Sequence, residues 1–462
     1  MPVLLNLAWF LWIAWSAGLL QQAAAPCPRI LADVEVLCGT VTVPEDRAGS
    51  QRRRIAINYI VVPARRSASH EPVFLFAGGP GQGSTTIAPL TMGWLAPVRE
   101  TRDLVFVDQR GTGSSNPLTC KSDSHTRPEQ AFGHVFRPDV VRDCRAALEP
   151  RADLTRYTTS HAVDDIDDVR ARLGYERILL WGGSYGTRLA QAYARRHPSR
   201  VVAMVLDGVA PFDIQLPSTY ARGAQEAIDR VFAACRGSAA CAEAYPDLER
   251  EFDDILARLR AGPVETSVRR RDGRPVPVRL TAGDFGYAVR GILYDSEAAA
   301  RLPEMIHRAA ATGDLSAFAQ RYWARAVTLE RVIAHGLHLS VLCPEDVALV
   351  QEAELEARTR GTFLGRYLFD EYREACRQWP PVPVDPEMTR PLAVDVPVLL
   401  LSGYFDPVTP PAFAERVARS LPASRHVVDP SGGHGVSDRC AMPAALHVLT
   451  RGRLDGLPVV CQ

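Results

Sequence analysis

Three side chains in this sequence have the types and settings that nucleophilic catalysis requires, and the first is a serine. Ser184 lies in the stretch Gly182-Gly183-Ser184-Tyr185-Gly186, directly after the apolar run at residues 177–181. A sharp strand-to-helix turn needs small residues two positions before and after its centre, because it leaves no room there for Cβ atoms. Such a turn exposes the central hydroxyl at the end of the strand. We therefore predict that Ser184 is a nucleophile.

A serine nucleophile needs a general base and a group that orients this base. Asp406 follows an apolar run at Val398 to Leu401, and His434 lies among glycines after a strand predicted at Arg425 to Val428. The chain order serine, aspartate, histidine is that of the α/β-hydrolase triad and differs from the two other orders known for these residue types. We predict that His434 is the general base for Ser184 and that Asp406 orients it.

The same chemistry needs N–H groups that stabilise an oxyanion. One is expected from Tyr185, the residue after the nucleophile, and another from the loop after a strand at Val73 to Phe76. That loop reads Ala77-Gly78-Gly79-Pro80-Gly81-Gln82-Gly83. Its glycines would also suit a phosphate-binding loop, but the spacing is not that of a P-loop and no Lys-Ser/Thr follows. We assign the second donor to Gly78 or Gly79.

The wider pattern is that of an α/β protein with a mostly parallel central sheet flanked by helices. Apolar runs of strand length alternate with helical periodicity. Strands are predicted at Arg54 to Val62, Val73 to Phe76, Leu104 to Val107, Ile178 to Trp181, Val201 to Leu206, Val398 to Leu401 and Arg425 to Val428. Core helices are predicted at Asp164 to Leu173, Thr187 to Arg196, Pro411 to Ser420 and from Asp438 onward. With the motifs around the serine, this pattern predicts the α/β-hydrolase fold.

A large, mainly helical lid is expected between Phe212 and Arg390. Its apolar spacing predicts helices such as Gln225 to Cys235, Leu248 to Leu259 and Ala298 to Ala311. A hairpin is predicted at Val264 to Leu280, with its turn at Asp272-Gly273. The expected organisation is a signal peptide at 1–25, a hydrolase core at 26–211, a helical lid at 212–390 and the rest of the core at 391–462.

Five motifs together resemble one branch of the α/β-hydrolases. Gly78-Gly79-Pro80-Gly81, the segment Asp108 to Ser115 and the Gly-Gly-Ser-Tyr-Gly turn resemble the prolyl aminopeptidases. The segment Gly403 to Pro410 and Gly432-Gly433-His434-Gly435 are similar to the secreted tripeptidyl aminopeptidases of that branch, with their TAP-like C-terminal region. The resemblance implies a serine exopeptidase whose partners are peptides with a free N-terminus. It implies no metal and no organic cofactor.

Other residues near these motifs have more than one interpretation. Ala77 stands where proline iminopeptidases usually carry histidine, so the resemblance is to the branch more than to strict proline iminopeptidases. Asp108 and Arg110 are expected to fix the loop beneath the active site. Asp207, at the end of a predicted strand, is an alternative triad acid, but Asp406 is preferred because of its glycine and proline setting.

An exopeptidase must also hold a free ammonium group, which requires acceptors at a fixed distance from the nucleophile. Glu345 and Asp346 in Cys343-Pro344-Glu345-Asp346 are the candidate substrate-binding carboxylates, with Glu345 favoured. The alternative is that they begin a helix at Val347 to Glu356, where acidic residues suit the helix dipole. Both interpretations stay open at this point.

Composition and cysteine content agree with an exported globular enzyme. The 462 residues are 47% hydrophobic with a formal net charge of zero, so a large core is available and nucleic acid is not an expected partner. Residues 1–20 are apolar and Ala23-Ala24-Ala25 supplies the small residues of a cleavage site, which predicts secretion or a periplasmic or cell-envelope location. After cleavage no membrane contact is expected, and an uncleaved N-terminal anchor is the alternative.

The ten cysteines suggest disulfides rather than a metal site, since no Cys-x-x-Cys pair occurs. Sequential pairing is the simplest arrangement: Cys27 with Cys38, Cys120 with Cys144, Cys235 with Cys241, Cys343 with Cys376, and Cys440 with Cys461.

The function expected from all of this is an exported serine aminopeptidase or tripeptidyl aminopeptidase acting through an acyl-enzyme. Two alternatives remain. The same triad would serve an esterase or lipase-like hydrolase, which would be indifferent to a free amine. A catalytically silent binding protein of the same fold is the other, and the complete set of triad residues argues against it.

Overall fold

The computed structural model describes residues 34–49, 53–66, 71–121 and 126–461 of the chain. Residues 1–25 and Cys27 lie outside this part, so the signal peptide and the bridge between Cys27 and Cys38 stay predictions. The strands of the described part are β1 (Leu37–Pro44), β2 (Arg54–Val62), β3 (Val73–Phe76), β4 (Leu104–Val107), β5 (Ile178–Gly183), β6 (Val201–Asp207), β7 (Val264–Arg269), β8 (Pro275–Leu280), β9 (Val398–Gly403) and β10 (Ser424–Asp429).

Eight of these strands form the central sheet, in the order β1-β2-β4-β3-β5-β6-β9-β10. The pairings of β1 with β2 and of β2 with β4 are antiparallel, and the remaining pairings are parallel. Every side chain of β3, β4 and β9 is buried, because parallel strands at the centre of such a sheet are covered on both faces. This is the predicted α/β-hydrolase architecture.

The register brings the carboxyl ends of the central strands to one edge of the sheet. Gly183 at the end of β5 pairs with Asp207 at the end of β6, and Asp207 pairs with Leu401 in β9. The loops that leave these strands therefore start side by side. In α/β sheets this carboxyl edge is where ligands bind.

Helices cover both faces of the sheet and continue into a separate layer. The core helices before that layer are α1 (Ala88–Thr91), α2 (Ala96–Arg99), α3 (Pro138–Leu148), α4 (Thr159–Arg172) and α5 (Tyr185–Arg196). The cap consists of the β7–β8 hairpin with α6 (Leu216–Gly237), α7 (Ala239–Ala244), α8 (Leu248–Ala261), α9 (Ala282–Ile292), α10 (Ser296–Ala299), α11 (Leu302–Thr312), α12 (Ser316–Val332), α13 (His335–Glu345), α14 (Glu352–Thr359) and α15 (Tyr367–Arg377). The last helices, α16 (Pro411–Ala418) and α17 (Met442–Arg451), return to the core.

No single helix of the described part is long and apolar enough to cross a membrane. Ser316–Val332 and His335–Leu349 meet the length and composition requirement only as a pair, and this pair is bent by 94°.

The seven strands and the hairpin predicted from apolar patterning are present, with end shifts of at most two residues. β1 was not predicted, because seven of its eight residues are exposed or half-buried and its pattern is not that of a buried strand. The predicted helix at Val347 to Glu356 is wrong. α13 ends at Glu345, and α14 begins only at Glu352.

Four of the predicted disulfides are present, with Cα–Cα distances of 5.1 to 5.3 Å: Cys120–Cys144, Cys235–Cys241, Cys343–Cys376 and Cys440–Cys461. Cys343–Cys376 joins α13 to α15 within the cap. Several disulfides in one chain are typical of proteins from oxidising compartments outside the cytosol.

Candidate active site

Ser184 lies on a strained turn between β5 and α5. Its backbone has φ of 55° and ψ of −124°, a conformation that a residue with a Cβ adopts only when its surroundings impose it. The Ser184 N–H donates to the Asp207 carbonyl at 2.8 Å. A Cβ on Gly182 would lie 2.3 Å from the Gly186 carbonyl oxygen, and one on Gly186 would lie 2.2 Å from the Phe76 carbonyl oxygen. The two glycines are therefore a steric requirement of this turn, as the sequence predicts.

His434 and Asp406 meet at the same edge of the sheet. The His434 Nδ1 atom lies 2.8 Å from Asp406 Oδ2. Asp406 is fully buried, and its Oδ1 accepts hydrogen bonds from the N–H groups of Val408 and Thr409. The Thr409 hydroxyl donates to Oδ2 at 2.7 Å. These contacts hold the carboxylate in place, so that Nδ1 of the imidazole carries the proton and Nε2 is left as the basic atom.

The electrostatics of the pair suit a charged imidazole. Burial by itself lowers the pKa of His434, but the Asp406 carboxylate outweighs it and raises this pKa to about 9. Burial raises the pKa of Asp406, and His434 together with the hydrogen bonds of Thr409 outweighs that effect and lowers it. The carboxylate thus stabilises an imidazolium, which is the species that forms when a histidine removes a proton from serine.

Asp207, the alternative acid, is engaged elsewhere. Its carboxylate accepts from the N–H groups of Val436 and Ser437 and from the Ser437 hydroxyl, at 2.6 to 3.0 Å. Burial raises the pKa of Asp207. Asp207 therefore fixes the chain that follows His434, whereas Asp406 contacts the imidazole itself.

The groups assigned to an oxyanion hole lie against Ser184. A Cβ on Gly78 would come within 2.9 Å of the Ser184 Cβ and 3.4 Å of its Oγ, so this backbone approaches the serine closely. Gly79 lines the same cavity. Tyr185 is the first residue of α5, where backbone N–H groups have no acceptor within the helix. Its phenol is fixed by Thr159 Oγ1 at 2.7 Å and by Gln109 Nε2 at 3.2 Å.

The two carboxylates expected to bind substrate have other partners. Glu345 accepts from the N–H and the hydroxyl of Thr159, at 2.7 and 2.6 Å. Asp346 forms an ion pair with Arg188 at 2.7 Å and accepts from the Leu216 N–H. Both are buried, and neither is among the residues that line the cavity next to Ser184. The assignment of Glu345 and Asp346 as amine binders is thereby corrected: they attach the cap to the core helices α4 and α5.

The correction has a physical cause that the sequence contains in part. Arg188 lies on the buried face of α5, and a buried guanidinium needs a carboxylate partner. The buried position of Arg188 could therefore have predicted that Asp346 forms an ion pair with it. Burial raises the pKa of Glu345 to about 7, which reflects its position at the closed junction of cap and core.

A cavity of about 910 Å³ lies between the carboxyl edge of the sheet and the cap. Ser184, His434, Gly78 and Gly79 line it from the core. From the cap it is lined by residues that sequence reasoning missed, namely Tyr220, Tyr287, Arg290, Tyr294 and Arg325. Their spacing in the sequence is that of ordinary helix residues. The one signal for a functional role is Arg290, an arginine on the apolar face of α9.

Asp108 and Arg110 have the contacts of structural residues. Asp108 accepts from the N–H groups of Thr85 and Ser114, at 2.9 and 3.0 Å. Arg110 is fully buried and pairs with Asp165 at 2.6 Å. These contacts agree with the expectation that both residues hold the loop beneath the site.

Comparison with known proteins adds two family matches. Residues 71–272 match the family described as alpha/beta hydrolase fold, and residues 362–461 match the family described as TAP-like protein. Serine protease Hip1 of Mycobacterium tuberculosis is 27% identical over 421 residues, which cover 83% of this chain and 80% of that protein.

Two shorter matches have names from the aminopeptidases. Proline iminopeptidase of Neisseria gonorrhoeae is 33% identical over 138 residues, which cover 30% of this chain and 32% of that protein. Tripeptidyl aminopeptidase of Streptomyces coelicolor is 29% identical over 196 residues, which cover 38% of this chain and 35% of that protein.

Proposed function

Because the chain has the α/β-hydrolase fold with a TAP-like C-terminal region, we propose that it is an exported serine aminopeptidase that cleaves peptides near a free N-terminus. The observation that carries the proposal is the pairing of His434 with Asp406 at 2.8 Å in the cavity that Ser184 lines. Peptide substrates are supported by relatives named serine protease, proline iminopeptidase and tripeptidyl aminopeptidase.

The proposed mechanism is acyl transfer in two half-reactions. His434 Nε2 takes the proton from Ser184 Oγ as this oxygen attacks the carbonyl carbon, and Asp406 stabilises the resulting imidazolium. The N–H of Tyr185 and that of Gly78 or Gly79 stabilise the oxyanion. The imidazolium then protonates the leaving amine, and the acyl group stays on Ser184. Water, deprotonated by His434, attacks the acyl-enzyme and releases the acid.

Endwise cleavage is supported by the cap, which covers the edge of the sheet where Ser184 lies. Cleavage near a free N-terminus requires that the ammonium group be held in the cavity, and a carboxylate is the group suited to hold it. Glu345 and Asp346 do not line the cavity, so we assign this role to two cap carboxylates that do, Asp295 and Glu330. The disulfides and the predicted signal peptide support export.

An esterase is the second candidate, and one feature favours it. Apolar side chains lie at the cavity wall with large exposed areas, Leu90 at 74% and Val332 at 37%. An apolar wall of this kind suits an acyl chain. The triad would hydrolyse an ester by the same steps.

The test is hydrolysis of a matched panel by the oxidised enzyme and its S184A variant. The panel contains prolyl, alanyl and tripeptidyl chromogenic amides, their N-acetylated forms and a short-chain ester. We expect cleavage of the free-amine peptides that depends on Ser184 and that falls on acetylation. Cleavage of the ester alone, or equal cleavage of acetylated peptides, would contradict the aminopeptidase assignment.

A further inference from the structure

Two arginines of the cap line the catalytic cavity without an acidic partner. Arg290 on α9 is 3% exposed, and its Nε and Nη2 atoms are buried without a hydrogen-bond partner. The Nε atom of Arg325 on α12 is also buried without a hydrogen-bond partner. Within the described part of the chain, no carboxylate oxygen lies within 4.0 Å of either guanidinium. Both arginines line the cavity, and part of each guanidinium is buried without a hydrogen-bond partner.

The other arginines of this cavity differ in that respect. Arg137 pairs with Asp139 at 2.6 Å, and Arg439 pairs with Asp429 at 2.9 Å. A buried guanidinium without a counter-ion is costly, so folded proteins rarely keep one unless something else binds it. Arg290 and Arg325 are exceptions to this rule, and their position in the wall of a cavity indicates a ligand with negative charge.

Tyrosine rings hold the two guanidinium groups in place. Arg290 Cζ lies 4.1 Å from the ring centre of Tyr220, and Arg325 Cζ lies 4.2 Å from that of Tyr294. The Arg325 guanidinium is also 5.4 Å from the ring of Tyr287. Stacking on a ring stabilises the cation and keeps it planar against the aromatic face, but it does not neutralise the charge. The side chains of Tyr287 and Tyr294 also hydrogen-bond Arg325, but in the described part of the chain no carboxylate pairs with the positive charge of either guanidinium.

The positive charges of the pair also favour ionisation of a neighbouring tyrosine. Burial raises the pKa of the Tyr294 phenol, but Arg290 and Arg325 outweigh that effect and lower it to about 8. A site that favours a phenolate also favours a carboxylate from a substrate.

The pair lies close to the reacting groups. The ring of Tyr294 is 5.0 Å from the ring of His434, and the His434 N–H donates to the Tyr294 carbonyl at 2.8 Å. Arg290 Cζ is 5.2 Å from the same tyrosine ring. Both guanidinium groups thus lie near the same tyrosine ring that the imidazole contacts. An anion bound there belongs to a residue near the scissile bond.

We propose that Arg290 and Arg325 bind a carboxylate of the substrate and make the enzyme prefer peptides that place a carboxylate beside the scissile bond. A guanidinium presents N–H donors in the planar arrangement that a carboxylate accepts with both oxygens. Two sources supply such a group: an acidic side chain beside the scissile bond, or the C-terminal carboxylate of a short peptide. The proposal rests on the proposed function, because it takes Ser184 as the nucleophile.

The first experiment compares peptides that differ in one charge. Each pair carries Glu or Gln at one position beside the scissile bond, and each peptide is made with a C-terminal amide and with a free acid. We expect the charged member to be preferred about 10- to 100-fold in kcat/KM, since hydrogen bonds to charged groups are the stronger kind. A Glu preference that persists in the amides identifies the side chain, and a preference only for free acids identifies the C-terminus. Ratios near one in both comparisons would overturn the proposal.

Variants then connect the preference to the arginines. R290Q, R325Q and the double variant should reduce the charged-to-neutral ratio to within about threefold of one, while R290K and R325K keep part of it. R137Q is the matched control, because Arg137 lines the same cavity with Asp139 already as its partner. A ratio that stays unchanged in the double variant would overturn the assignment.

A binding measurement separates this proposal from the proposed function and does not depend on the folding of arginine variants. The S184A enzyme is titrated by calorimetry with the same Glu and Gln peptides, and glutarate and the uncharged diamide glutaramide are compared as inhibitors of the unaltered enzyme. Tighter binding of the charged member in both supports the carboxylate site even if only esters prove to be substrates. Equal binding of charged and neutral members would overturn it, even if aminopeptidase activity is found.

Discussion

The guanidinium of Arg188, on the helix that follows Ser184, lies 2.7 Å from the carboxylate of Asp346 in the cap. The side chains are 2% and 0% exposed, and Arg188 also donates to the carbonyls of Pro211 and Ile214. The ion pair therefore connects the serine-bearing helix, the chain that enters the cap and the end of α13. The pair thus contributes a buried contact between the cap and the helix that follows Ser184.

Breaking this pair should destabilise the protein strongly. D346L or R188M leaves one buried charge without its partner, and we expect a loss of about 3 to 5 kcal/mol in the free energy of unfolding. The double variant R188M/D346L should lose less than the two single variants predict together, because no buried charge is left. Denaturant unfolding of the oxidised protein measures this, and strict additivity would contradict the assignment.

Activity should increase with pH through an alkaline transition. In the proposed mechanism the neutral imidazole is the base, and the pKa of His434 is raised to about 9, mainly by Asp406, with Tyr294 and Asp207 as the other charged or titratable neighbours. We therefore expect kcat/KM to rise as pH increases through this value. The favourable charge interaction stabilises the fold fully below pH 6.5 and is lost as pH rises through about 9.

Asp406→Asn tests the cause of that transition. Without the carboxylate, burial should lower the pKa of His434, and kcat should fall about 10⁴-fold because the imidazole loses its correct tautomer. The pH–rate profile of the variant should shift to lower pH relative to the unaltered enzyme. An unchanged profile would mean that another group controls the transition.

The glycines of the serine turn should be irreplaceable. In G186A the new Cβ would lie 2.2 Å from the Phe76 carbonyl oxygen, which is backbone and cannot move aside easily. We expect a loss of at least about 2 kcal/mol in stability, together with loss of activity. G237A is the control, since a Cβ there meets nothing within 4 Å, and it should be neutral or slightly stabilising. Thermal unfolding of both variants decides the comparison.

Amine selectivity should not depend on Glu345. Its carboxylate is held by Thr159, so E345Q should keep the ratio of free-amine to acetylated substrate unchanged, whatever it does to stability. E330Q and D295N should reduce that ratio about tenfold or more if these carboxylates bind the ammonium group. Kinetics on acetylated and free peptides provide the test. A loss of selectivity in E345Q alone would restore the interpretation that the geometry argues against.

Much of the core could be predicted because its signals are local. The strands at Val73–Phe76 and Leu104–Val107 are continuous apolar runs, and the crossing at Ser184 requires glycine within a few residues of the serine itself. The order of Ser184, Asp406 and His434 along the chain was sufficient to propose their roles, because the topology of this fold brings those loops to one edge. Cysteine pairing followed from proximity in sequence.

Only the tertiary structure decided what the cap contributes. Helical periodicity shows that α9, α12 and α13 bury one face, but not which element covers that face. Glu345 and Asp346 were expected to bind a substrate amine. They pair instead with Thr159 and Arg188, because α13 ends where it meets the core. Conversely, Arg290 and Arg325 lie on different helices, and their spacing along the chain does not predict that both line the same cavity. Local sequence was enough to propose the reacting groups, whereas the packing of distant helices decided which charged side chains line the cavity.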